Sequence, residues 1–125
     1  MRYLGPGHTS GDAVVTFERA NVVHMGDLVF NRRHPFIDKP AGASIANWIV
    51  VLEQTVKAHD ADTKYVFGHA GDDYPVVGAR ADLLAMRDYL TALIEAATAA
   101  VKAGTPRAAF TASKLPAAFA AYDPK

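Results

Sequence analysis

The run Val22-Val23-His24-Met25-Gly26-Asp27-Leu28-Val29-Phe30, VVHMGDLVF, is apolar and β-branched on both sides of a single Gly-Asp pair. Its reading decides the fold. Residues 21–24 have the short β-branched character of a strand, and Gly26-Asp27 ends it. Upstream, AVVTF at residues 13–17 is a second such run, separated from the first by Glu18-Arg19-Ala20, which predicts a hairpin or meander. Residues 2–4 supply the tail of a further strand leading into the glycine turn GPGHTSGD at residues 5–12. Downstream, residues 25–43 read as a long loop punctuated by Gly26, Pro35, Pro40 and Gly42, with a short apolar run at residues 28–30. Loops of that length in small domains are often functional.

Beyond the loop, Ser44 stands where a helix N-cap belongs, and Ile45, Trp48, Ile49, Leu52 and Val56 follow at the spacing of one helical face. Lys57 and His59 suit the negative end of that helix. KYVFGHAG at residues 64–71 has the pattern of a buried strand ending at Gly68-His69. A second helix is expected over residues 81–103, with Leu83, Met86, Leu90, Leu93, Ile94, Ala97 and Val101 on its apolar side and Gly104 and Pro106 stopping it. The tail, residues 108–125, reads as one or two helical turns broken by Pro116. Strands followed by helices in this order predict an α/β layer arrangement.

At 125 residues the chain suits one domain. Thirteen basic and thirteen acidic residues cancel, so no nucleic-acid or membrane partner is expected, and a neutral surface is compatible with a homo-oligomer. The absence of cysteine excludes disulfides and thiol nucleophiles. No run of about eighteen apolar residues occurs, so a soluble chain is expected. The compartment stays open between cytoplasm and periplasm.

His8, Asp27 and His69 share one local design: each directly follows a glycine, at Gly7, Gly26 and Gly68. Strand-end loops on a rigid sheet are where sites are built. Two imidazoles and a carboxylate also form a donor set that zinc accepts.

GHTSGD, HMGDLVF and YVFGHAG resemble, in order, the last three sequence motifs of the metallo-β-lactamase superfamily. The loop with Pro35-Phe36-Ile37-Asp38, the Trp48-Ile49-Val50-Val51-Leu52 helix and the helix after the final motif are similar to the C-terminal half of such hydrolases. The resemblance implies the C-terminal half of an α/β/β/α sandwich: a small, mostly antiparallel sheet, two main helices and a helical tail, forming one incomplete domain over residues 1–125. It implies that His8 completes the three-histidine site of a first metal, that Asp27 bridges two metals, and that His69 serves the second. The metals would be two zinc ions, with iron or manganese as alternatives. Asp27 would orient an attacking hydroxide at a small-molecule ester, thioester, lactone, amide or phosphoester.

The family's main signature, His-x-His-x-Asp-His, is absent from the sequence. The resemblance therefore leaves the remaining donors to a missing N-terminal half or a second chain, and predicts weak metal binding and little turnover for this chain alone. The rival expectation is a non-catalytic interaction module derived from such a hydrolase.

Other residues carry weaker signals. Asp12 is expected to accept a turn-stabilising hydrogen bond. His34 and Arg33 in the long loop are candidates to face a substrate, with a solvated basic loop as the alternative, and Tyr74 is a candidate for the site edge. His24 is expected to pack in its strand or form a hydrogen bond, and Asp72-Asp73 to form a turn. Trp48, Phe30 and Phe36 are expected in the core or against a second sheet. No G-x-S-x-G nucleophile elbow or dinucleotide fingerprint occurs.

Overall fold

The computed structural model describes residues 1–114 and 116–122, so the part of the tail reading that falls on Leu115 and residues 123–125 lies outside the described residues. In chain order the elements are β1 (Val15–Phe17), β2 (Val22–Asn31), α1 (Ile45–Ala58), β3 (Lys64–Ala70), β4 (Val77–Gly78), α2 (Arg80–Lys102) and α3 (Arg107–Ala112), followed by a single 3-10 turn at Ala117–Phe119. Arg2 forms one isolated bridge to Val14, which is what becomes of the strand expected at residues 2–4.

The strands form one sheet in the order β1-β2-β3-β4. Its two outer pairings are antiparallel, and the central and longest one, β2 with β3, is parallel. A parallel pair needs a crossover connection. Here α1 provides it. Ser44 caps α1 by accepting a hydrogen bond from the Asn47 backbone N–H at 3.3 Å. Asp82 accepts from the Ala79 N–H at 2.9 Å and holds the start of α2.

β2 runs well past the point where the sequence reading stopped it. Residues 28–30, read as part of a loop, are paired strand. Gly26 aligns with Phe67 and Phe30 with His69, so four steps along β2 match two along β3. The surplus residues bulge, and Asp27 rides on that bulge. Gly26 adopts φ +53°, a left-handed conformation that a glycine takes without a β-carbon penalty. The bulge re-aims side chains while the strand continues beyond it.

Side-chain alternation divides the sheet into two unlike faces. One face, carrying Val23, Met25, Tyr65 and Phe67, is buried together with Trp48, Val51, Leu52, Leu83, Met86 and Leu90 of the packed helices. The Trp48 indole N–H donates to the Leu28 carbonyl at 2.8 Å and ties α1 to the bulged strand. The opposite face presents Phe17 and Val77, both about half exposed, with His24 between half-buried valines.

The apolar stripe of α2 is buried at Leu83, Met86, Tyr89 and Leu90, but Val101, expected on that side, is exposed. The last turn of the helix outruns the body it packs on, while Leu93 still packs against the core. Among the described residues no helix is long and apolar enough to cross a membrane.

Candidate functional site

The turn before β1, the bulge in β2 and the end of β3 meet at one end of the sheet. Glycine makes their approach possible. A β-carbon on Gly68 would collide with the Asp27 carboxylate and lie 2.7 Å from the Gly26 backbone. A β-carbon on Gly7 would lie 2.6 Å from the Leu28 side chain. Gly7 and Gly68 are therefore close-packing requirements around a single point, whereas Gly26 meets nothing within 4 Å and is set by its left-handed backbone.

His8 is 8% exposed and held on all sides. Its Nδ1 lies 2.6 Å from the Phe36 carbonyl oxygen. A carbonyl only accepts, so Nδ1 carries a proton, and Nε2 is the nitrogen left to face Asp27 and to serve as a ligand. Phe30, Phe36 and Trp48 surround the ring with centroids 5.7, 6.2 and 5.8 Å away. A ring nitrogen tied to a backbone carbonyl is the usual way of orienting a histidine ligand. His69 stacks on Phe30 at 4.5 Å with the planes 16° apart. Asp12 accepts from the Thr9 N–H at 2.6 Å and closes the turn that delivers His8, the role expected of it.

Asp27 stands between the two imidazoles. Its Oδ2 is 3.6 Å from His8 Nε2, and its Oδ1 is 3.2 Å from His69 Nε2. The three side chains line one cleft of about 250 Å³ together with Phe30, Arg33, His34 and Phe36. Of the candidate substrate residues, Arg33 and His34 are thus beside the cleft. Tyr74 does not line it; its ring lies 5.8 Å from the Arg32 guanidinium carbon.

The alternative of a solvated basic loop does not describe His34, which is half-buried with Nδ1 2.8 Å from the Tyr89 hydroxyl. Burial, reinforced by the neighbouring Tyr122, pushes the Tyr89 phenol up to about 12. His24 accepts from the Gly26 N–H at 3.0 Å on the open face of the sheet, away from the cleft. His59 joins the Thr55 carbonyl and the Thr16 hydroxyl at 2.7 and 3.1 Å, so it is a helix-terminus residue bonded to β1. Trp48 and Phe30 are buried, whereas Phe36 is 65% exposed and contributes chiefly its carbonyl. That carbonyl and the Phe30 platform are the contributors that side-chain motifs did not reveal.

Residues 1–94 match the family model of the metallo-β-lactamase superfamily. The chain belongs to that superfamily. Its fold is also similar to the crystal structure of the metallo-β-lactamase VMB-1 at pH 5.5, with a TM-score of 0.58 and 21% identity over 74% of this chain. The match covers 40% of VMB-1, so this chain spans about two fifths of the length of that structure. No curated protein matches in sequence.

Members of the superfamily commonly bind zinc. Around a tetrahedral zinc with bonds of about 2.0–2.2 Å, neighbouring donor atoms stand roughly 3.3 Å apart. The Nε2-to-carboxylate distances of 3.2 and 3.6 Å bracket that spacing, one on each side of Asp27. The donors fit in type and separation but not in number. Among the described residues no group of three His, Cys, Asp or Glu side chains could hold a metal ion.

Proposed function

We propose that this chain supplies the His8, Asp27 and His69 part of a dinuclear metal centre, most simply zinc, in a hydrolase acting on an ester, thioester, lactone, amide or phosphoester. One observation carries the reading: the two carboxylate oxygens of Asp27 face two different imidazole nitrogens at ligand-to-ligand spacing. His8 and His69 would each hold one metal, with Asp27 shared between them. Metal ions so placed supply an activated water at neutral pH and polarise the bond to be cleaved. The chain's own residues bind and orient. The Phe36 carbonyl fixes the His8 tautomer, Phe30 holds the His69 ring, and the rings of Phe30, Phe36 and Trp48 shield His8 from water. Arg33, which lines the cleft, would take a substrate oxygen or carboxylate.

A catalytic zinc requires three protein donors and a water. Two donors per metal support the proposal that the remainder come from a partner, either a preceding half of the same fold or a second chain. The open sheet face with Phe17 and Val77 is the surface such a half would cover. By itself the chain should bind zinc more weakly than micromolar and turn over no generic ester or lactone. Calorimetric zinc titration with a parallel ester assay tests this. Micromolar or tighter binding, with turnover lost in His8→Ala, would show a self-sufficient enzyme.

The absence of a three-donor cluster among the described residues favours a second reading, a non-catalytic interaction module. Zinc that binds no more tightly to the native chain than to Asp27→Asn selects it.

A further inference from the structure

Beside the cleft lies a second and larger depression of about 460 Å³, lined by His34, Lys114, Ala117, Phe119 and Ala120. His34 belongs to both cavities, so its ring is their shared wall. The volume falls in the range of small-molecule sites, which are mostly apolar with a few polar groups. Four of the five lining residues lie beyond the stretch that matches the superfamily, so the groove is formed mainly by the C-terminal tail.

The groove also has a built floor. Phe119 and Tyr122 fold back onto Tyr89, with ring centroids 5.2 and 5.4 Å away, and Tyr122 reaches to 6.1 Å from His34. This cluster fixes the tail against the residue that edges the metal-donor cleft. The lining is alanine and aromatic carbon, and Lys114 is the only cationic side chain among the described lining residues, with Arg33 at the adjoining cleft.

We propose that this groove receives the apolar acyl chain of an anionic substrate whose hydrolysable bond sits at the His8–Asp27–His69 cleft. The inference rests on the hydrolase reading for the second site but has its own readout. Arg33 and Lys114 select a carboxylate-bearing ligand over a cationic one, and the alanine-lined wall leaves room for methylenes.

The test is calorimetry of the full chain, without metal, against alkanoates from acetate to octanoate and against octylamine. Affinity should tighten by up to about fourfold for each added methylene, the transfer value for a buried CH₂. Octylamine should bind much more weakly than octanoate. Ala120→Trp and Ala117→Trp, at exposed positions lining the groove, should each bring octanoate down towards acetate while circular dichroism stays unchanged.

Affinity independent of chain length, or octanoate binding untouched by both tryptophans, would overturn the proposal. Octylamine binding as well as octanoate would overturn its anionic part. Zinc titration of the same samples separates the two readings. Octanoate binding with zinc no tighter to the native chain than to Asp27→Asn removes the hydrolase and keeps the groove; zinc binding that depends on Asp27, with no chain-length dependence, does the reverse.

Discussion

The cleft wall and the C-terminal tail are built in opposite ways. At the cleft each side chain is over-determined: His8 by a carbonyl and three rings, His69 by a stacked phenyl, Asp27 by a bulge that tolerates only glycine opposite. Asp27 and His69 ride on strands and His8 on the turn before β1, all against a core in which Trp48 and Tyr65 are fully buried. The tail has no buried residue in α3 or in the 3-10 turn, and half-buried Phe119 and Tyr122 hold it through their stack on Tyr89. Stability is unevenly spread through such a molecule, with weakly packed parts opening first. The difference teaches that the geometry of His8, Asp27 and His69 is set by the sheet, whereas the groove beside it is bounded by a sparsely packed element.

The contrast is broken most forcefully from the core side. Trp48→Ala removes a fully buried indole and its bond to the Leu28 carbonyl, and should cost about 3–5 kcal/mol in a urea melt. Loss of secondary structure throughout the chain is the expected accompaniment. Gly68→Ala acts on the same region without emptying the core. Its β-carbon drives Asp27 and the Gly26 backbone apart, so zinc affinity should fall by about tenfold or more while circular dichroism is retained. An unchanged zinc isotherm would mean that the bulge does not position the carboxylate.

On the tail side the effects should be local. Phe119→Ala removes two ring contacts, at Tyr89 and Tyr122, and should cost roughly 1 kcal/mol of tail docking. Limited proteolysis should then cut the tail faster, with the main urea transition unmoved. The last effect is confined to alkali. The Tyr89 pKa is raised from 10.0 to about 12, first by burial and then by Tyr122. The stability that this protonated phenol contributes is complete below about pH 10 and is lost as pH rises towards 12. Near-ultraviolet circular dichroism of the tail aromatics should fade across that window, and Tyr89→Phe should shift the loss to higher pH.

Much of this was legible in the sequence wherever a local pattern carries the physics. Ser44 and the three-and-four spacing after it located α1, and the glycines before His8, Asp27 and His69 located the cleft. The full length of β2 was not legible, because the surplus residues around Asp27 break the period of two and imitate a loop. Parallel pairing of β2 with β3 was hidden because it joins segments separated by a whole helix. The Phe36 carbonyl left no trace, since backbone acceptors look alike in every residue. Periodicity carried the apolar stripe of α2 out to Val101 but says nothing about where the packing partner ends. An alanine-rich tail likewise gives no sign of the groove it encloses.

The convergence of His8, Asp27 and His69 on one metal-binding edge is most directly tested by following imidazole ¹⁵N signals during a zinc titration of the native chain and of Asp27→Asn. His8 and His69 Nε2 should move together in the native chain, both responses should weaken in the variant, and His24, His34 and His59 should stay still. First movement at any of those three histidines, or a response indifferent to Asp27, would contradict it.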